Sequence, residues 1–522
     1  MVVASLGLLV VEPAAAQDLV LDGNVPLDDL DHFFIPFDVP AGTVEIEVRH
    51  DDQSDANVLD WGLQDQDGFR GWGGGNAEPA IVGLDAASRS YIPGPIAAGT
   101  WNVVVGKVKV DESPATYHVE IFFRDTPTLS PQPEREPYAP AEPLSTEARW
   151  YAGDFHVHSL ESGDAQPSID EVATFARSRG LDFVELSDHN TNSQLDFINA
   201  VQVSHPELLL IPGVEWTTYD GHANGVGAVD WVDHKIGQPG VTVEGAVQAF
   251  HAQSALFSLN HPALQLGNLC FGCFWEHELP AEQIDAVEIA TVGWSQGGGL
   301  FALNAIAIWD ELCDAGGHPA ALGGSDDHRA GVDLGTFQSP IGDPTTMVYA
   351  SELSVAGILD GIRSGRTVVK LQGPDDPMIE LTPSIVPEGD TVSATEVTVT
   401  AVVTGGVSPF DEPYRIRFVR DGEPAELVDI TADPFEHTVT IAPPTEGETR
   451  LRAEVHVADD QPRTITSHLW FRYQEGPNTP TDGENAGGGC GACGLGTRSE
   501  RAGAWLVIAL GLLLGARRRR QW

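Results

Sequence analysis

Two short runs in this chain carry metal-ligand chemistry. In Asp154-Phe155-His156-Val157-His158-Ser159 two histidines stand two apart just after a strand-like segment. In extended chain such residues point the same way, so both imidazoles can reach one ion. In Gly324-Ser325-Asp326-Asp327-His328 the same spacing recurs with Asp326 and His328. Between the runs, isolated donors sit where strands are expected to start or end: Asp188-His189, Glu215, His222, and His261 in Asn260-His261-Pro262, with Asp164 in a loop after the first pair. A single His-x-His is common on surface strands. Two pairs with several donors between them point to a multinuclear centre.

The elements that must position these donors alternate strand and helix over 147–373. Expected strands are 153–157, 182–187, 208–215, 223–229, 255–259, 285–290 and 319–324. Ser168 is a predicted N-cap for a helix over Ile169–Arg179 closed by Gly180, with Ile169, Val172, Phe175 and Ala176 as its buried stripe. Helices are expected near 243–253, 299–315 and 352–364. Glu215 and His222 are too close for a crossover helix, so the third and fourth strands should form a hairpin. These elements read as an irregular seven-stranded β/α barrel, whose chemistry would lie at the C-terminal ends of its strands. On either side, 18–125 and 378–473 read as β-sandwiches, the second Ig-like, with 126–146 a Pro/Glu-rich linker. The fold class is thus multidomain: a central (β/α)7 barrel flanked by two sandwiches.

The order H-x-H, D-H, G-V-E, an isolated His, N-H-P and S-D-x-H resembles the PHP (polymerase and histidinol phosphatase) metal-dependent hydrolases. Gly213-Val-Glu-Trp-Thr-Thr218 with Gly221-His222, Gly68-Phe-Arg-Gly-Trp-Gly73 and Pro93-Gly94-Pro95 through Gly99-Thr-Trp101 resemble the carbaryl-hydrolase-like branch. The resemblance implies two or three divalent ions: Zn, Mn or Fe, which the mixed N/O donor set does not distinguish. It implies that His156, His158, Glu215 and Asp326 hold the first ion, that Glu215 bridges to a second held by His222 and His261, and that Asp164, His189 and His328 hold a third. Asp164 stands where some members have His. Asp188 is expected to orient a ligand histidine, and Asp327 to be structural. His205, His234, His251, His277 and His318 are expected to be non-ligands.

Such ions acidify a bridging water, and the hydroxide attacks phosphorus or a carbonyl carbon, so neither Ser187 nor Ser325 is needed as nucleophile. Glu215 and Asp326 would serve catalysis through the ions. Arg329 or Arg366 could clamp a phosphate. Trp216, Trp231, Trp275 and Trp294 could line an apolar pocket. The expected function is an exported phosphoesterase acting on a small-molecule substrate. The alternatives are carboxylic or carbamic ester hydrolysis on the same metals, and a non-catalytic surface-binding protein with structural metals.

The 522 residues leave room for about three domains, taking ~150 residues each. Apolar content of 42 % is ample for buried cores. A net charge of −49 argues against nucleic-acid binding through a basic surface. Met1–Ala16 resembles a signal peptide ending Ala14-Ala15-Ala16, although no Lys or Arg precedes its apolar run. At the other end a linker, 475–489, leads to Cys490-Gly-Ala-Cys493, an apolar stretch from Ala502 to Ala516 and Arg517–Arg520. This tail, 490–522, resembles myxobacterial sorting tails, which implies attachment to the cell surface; a plain membrane anchor is the alternative. Cys270 and Cys273 are expected to form a local disulfide and Cys313 to be a buried apolar residue. Oligomeric state is open.

Overall fold

The computed structural model describes residues 18–475 except 55, 295–296, 336–337, 408–412 and 458–460. The leader-like segment 1–16 and the tail 490–522 lie outside the described residues, as does the linker after Glu475. Among the described residues no helix is long and apolar enough to cross a membrane.

Residues 19–124 alternate apolar and polar side chains, and they fold into two antiparallel four-stranded sheets. One runs Leu19–Asn24, Thr116–Arg124, Glu45–Asp51, Ala80–Gly83; the other runs His32–Val39, Gly99–Lys109, Val58–Gln64, Phe69–Gly74. Trp61, Trp101, Ile46, Ile121 and Val103 fill the space between them.

The central segment departs from the expected closed barrel. Its strands fall into two sheets. Leu209–Pro212, Phe183–Leu186 and Arg149–Asp154 run parallel. Thr345–Ala350 and Thr367–Lys370 continue that sheet antiparallel. The second sheet runs Glu215–Thr218, Gly221–Val226, Leu256–Leu259, Ala286–Ala290, Ala320–Gly323. Single bridges join the two sheets at the seams, Val157 to Asp327 and His189 to Glu215. At both seams the chain leaves extended geometry at or beside a donor. Asp326 has φ +56 and Asn190, next to His189, has φ +50, conformations uncommon for non-glycine residues and concentrated at functional sites. The expected third strand also breaks at Pro212-Gly213, so Glu215 begins a strand instead of ending one. It opens the expected hairpin, with Thr217 opposite His222.

The expected first helix runs Ile169–Ser178. Ser168 Oγ accepts the Glu171 N–H while the Glu171 carboxylate accepts the Ser168 N–H at 2.8 Å, a capping box that contributes on the order of 1 kcal/mol. Ile169, Val172, Ala173 and Ala176 are its buried face; Phe175 is only partly buried. Helices Val243–Ala252, Gly298–Asp314 and Val355–Arg363 lie where expected, and Leu195–Ser204 is an additional one.

The C-terminal strands are not a separate sheet. Thr367–Lys370 pairs with Pro462–Thr466, which carries the central sheet on into Glu448–His456, Arg415–Arg420 and Glu423–Asp429. A three-stranded sheet, Met378–Pro383, Val397–Thr404 and Phe435–Ile441, packs over it around Val399, Phe418 and Phe471.

Candidate metal centre

The strand Arg149–Asp154 delivers His156 and His158 to one end of the central domain. Asp154 fixes the turn: its carboxylate accepts N–H groups from His156 (3.1 Å), Ser325 (3.0 Å) and Gly342 (2.7 Å). The two histidine/aspartate runs are therefore tied to one buried carboxylate. Asp327 is structural, accepting N–H from Arg329, Gly331 and Ile341. Asp188 does not orient a histidine; it accepts the N–H and hydroxyl of Ser159 at 2.6 and 2.7 Å, fixing the turn after His158.

Glu215 is the hub. It is fully buried, and its two oxygens address different histidines. Oε2 lies 3.4 Å from His156 Nε2, 3.4 Å from His158 Nε2 and 2.8 Å from His189 Nδ1. Oε1 lies 3.2 Å from His222 Nδ1 and 3.3 Å from His261 Nε2, and Asn260 donates to it at 2.9 Å. Asp326 Oδ1 is 3.2 Å from His156 Nε2 and 3.0 Å from His158 Nε2. Asp164 Oδ2 faces His189 Nε2 at 3.6 Å and His328 Nε2 at 3.3 Å. All nine sequence-selected donors therefore converge in one place, in three overlapping sets.

This arrangement fits cations. The buried Glu215 Oε2, His156 Nε2 and His158 Nδ1 make no aligned hydrogen bond despite the donors around them, and a buried unsatisfied polar atom costs roughly 1–3 kcal/mol. The donor atoms of His158, His189 and His328, and of His156, His158 and Glu215, are mutually within 4.8 Å. Without a cation, protons take its place. Burial opposes charge on His189 and His328, yet Glu215 and Asp164 carry His189 up to about 9, and Asp164 with Asp326 carries His328 up to about 10. Burial together with those charged neighbours pushes His158 down to about 3. Burial likewise works against a charged Glu215, but His189 and His156 hold it well below the usual carboxylate range.

Several contributors were not evident in the sequence. Glu288 accepts the His261 N–H at 2.6 Å and faces His156 Nδ1 at 3.4 Å, orienting that ring as outer carboxylates do around metal ligands. Its sequence signal is a charge inside the apolar run Ala286–Ala290. Thr217 Oγ1 bonds His189 Nδ1 at 2.7 Å.

The N-terminal sandwich builds one wall of the site. A cavity of about 700 Å³ opens over the donors, lined on one side by Asp60, Trp72 and Gly73–Asn76 and on the other by Arg329 and Phe271. Tyr219 donates to Asp60 at 2.8 Å across the domains, and burial raises the Asp60 carboxyl to about 6. The loop that carries Asp164 rests on the sandwich. Ser90 holds Glu161 through two hydrogen bonds, Arg89 donates to the Ala165 carbonyl at 3.0 Å, and a Cβ on Gly163 would collide with the Gly73 carbonyl.

The expected tryptophan wall lies elsewhere. Trp216 is in the core, and Trp275 and Trp294 pack against it. Trp231 stacks on Phe69 of the sandwich at 4.4 Å. Arg366 stacks on Tyr349 at 3.5 Å and lines a different cleft. Ser187 Oγ and Ser325 Oγ are engaged with backbone carbonyls. His205, His251, His277 and His318 bond Asp170, Asp285, Thr218 and Asp390, away from the donor sets. His234 is buried beside Trp72.

No protein-family model and no characterised protein matches the chain. Among solved structures it is similar to a two-domain protein from Bacteroides vulgatus described as containing a predicted PHP-like metal-dependent phosphoesterase. The identity is 19 % and the TM-score 0.36, over 64 % of this chain and 99 % of that one. An amidohydrolase from Chromobacterium violaceum is 16 % identical with a TM-score of 0.25, over 36 % of this chain and 91 % of that one.

Proposed function

We propose that this chain is a metal-dependent hydrolase of the PHP type, carbaryl-hydrolase-like in its domain pairing, that cleaves a phosphate ester. The observation that supports it most is Glu215, whose two oxygens serve two histidine sets at once, the arrangement a carboxylate needs to bridge two ions. His156, His158, Glu215 and Asp326 would hold one ion, His222 and His261 with Glu215 a second, and Asp164, His189 and His328 a third. Divalent ions there would supply an acidified water and a Lewis acid for the ester oxygen. The protein groups do the rest. Arg329 can bind an anionic oxygen, Trp72 can pack on the ester's organic part, Asn260 holds the Glu215 carboxylate and Glu288 the His156 ring.

Carboxylic or carbamic ester cleavage is the second reading, favoured by the apolar side of the cavity at Trp72 and Phe271. Export and surface attachment belong to the proposal through the end segments alone. The test is metal content of the purified chain together with hydrolysis of an aryl phosphate, a phosphodiester and an aryl ester. Two or three ions per chain and one activity lost in Glu215→Ala are expected. A chain that takes up no metal, or that cleaves none of the three, sinks the reading.

A further inference from the structure

The second histidine set shares one neighbour that no ligand motif includes. Cys270 and Cys273 form a disulfide that closes a short loop directly over His222 and His261. The Phe271 carbonyl lies 3.2 Å from His222 Nε2, and the Cys273 carbonyl 3.0 Å from His261 Nδ1. A carbonyl oxygen only accepts, so each ring must present an N–H to the loop. That fixes both tautomers. His222 Nδ1 and His261 Nε2 are left with their lone pairs facing the same Glu215 oxygen, at 3.2 and 3.3 Å. Two lone pairs against a carboxylate oxygen repel unless a cation, or in its absence a proton, lies among them.

We infer that the disulfide-closed loop is the positioning device of this second set: the Phe271 and Cys273 carbonyls hold His222 and His261 in the tautomers that bind a cation. The inference rests on the metal reading above. The two histidines come from different strands, and the loop is the element that touches both rings through backbone. It is seated closely on the hairpin. Gly272 has φ +73, and a Cβ there would collide with the Thr218 carbonyl. Glu276 N–H donates to the Asp220 carbonyl at 2.7 Å. On its outer side the loop is exposed, Leu269 at 78 %, so the disulfide is the covalent restraint on its shape.

The test compares the full-length chain with Cys270→Ser and Cys270→Ser/Cys273→Ser, reading ions per chain and Mn²⁺ affinity by chelator competition. Loss of partners outside the ligand shell typically lowers metal affinity about 10–100-fold. Both variants should show that loss at one site while the remaining ions stay bound as in the wild type. Affinity within about twofold of wild type in the double variant overturns the inference. So does tighter binding in Cys270→Ser alone, because Cys273 Sγ lies within 4.8 Å of both histidine donors and would then be a thiolate ligand. Should the variants fail to fold, the wild-type disulfide is opened in place. A phosphine converts it to two thiols and is oxidised to its oxide with oxygen from water; unchanged affinity after that treatment also overturns the inference. Loop-dependent binding in a chain that cleaves no ester would support the inference and sink the hydrolase reading. A wild type that binds no metal would sink both.

Discussion

Glu215→Gln keeps the side chain's shape and removes its charge. In the metal-free protein His189 is carried from the ordinary 6.5 up to about 9 against the effect of burial, with Glu215 the first of the opposing influences and Asp164 the second. At ~1.4 kcal/mol per pH unit, that is a net preference of ~3 kcal/mol for the charged ring. With Glu215 neutral, burial regains ground and His189 should titrate below its wild-type value, readable by NMR of the ring protons. In the metal-loaded protein the same change strikes two donor sets, because Oε1 and Oε2 face different histidines. The set of His222 and His261 would lose its one anionic donor. At least one ion per chain should be lost. With metal assistance worth several kcal/mol, ~4 kcal/mol off the transition state is about a thousandfold in kcat/KM. The assays are elemental analysis, NMR titration and steady-state kinetics. A Gln variant with a full metal complement, kcat/KM within about twofold of wild type and His189 still titrating near 9 would refute the hub role.

Proton linkage gives a second expectation. His189 and His328 are raised to about 9 and about 10 from 6.5, so their contribution to stability is complete below pH 6.5 and lost as pH rises through 9 to 10; thermal melts of the chelated protein should decline over that window, and melts of the metal-loaded protein should not. Arg329→Ala should raise KM for an aryl phosphate by about 10- to 150-fold, the value of a hydrogen bond to a charged group at ~1.5–3 kcal/mol, and leave an aryl ester untouched; equal effects on both substrates would remove its phosphate role. Trp72→Ala should leave metal content unchanged and raise KM about two- to twelvefold, from ~0.5–1.5 kcal/mol of ring contact; loss of metal in this variant would show that the sandwich wall supports the ions rather than the substrate.

The candidate donors stand out in the sequence because few residue types can ligate a metal. Only His, Asp, Glu and Cys serve, so spacing such as His156/His158 stands out against the background. Long-range bridges, such as Val157 to Asp327, leave no local pattern, and neither does the failure of the two sheets to close. The additional helix Leu195–Ser204 begins without a side-chain cap bond, so its start carries no sequence signature. Trp72 stands out in the sequence only within Gly68-Phe-Arg-Gly-Trp-Gly73, and Asp60 not at all, because their place on the cavity wall comes from the docking of two domains, which periodicity within one domain cannot show. Glu288 and Glu185, the latter accepting from the Asn224 amide at 3.4 Å, follow a different rule. Each is a lone carboxylate in an apolar strand, 3 % and 0 % exposed, and a charge in that position is a stronger sign of a site than any surface cluster.

The charge of the centre bears on which ester it would take. The carboxylates of Glu215, Asp326 and Asp164, with Asp60 on the cavity wall, would balance two dications and leave two net positive charges against three. The chain as a whole carries −49, yet at physiological salt surface charges are screened beyond about 8 Å, whereas the donors are buried and screened far less. With three ions bound the pocket would be locally positive and would favour an anionic group there. Arg329 adds to this as the one Arg or Lys lining the cavity among the described residues. A neutral ester would draw on the polarising ion alone and gain nothing from Arg329. The phosphate monoester or diester gains from both, and Trp72 on the opposite wall is placed for whatever apolar group that phosphate carries.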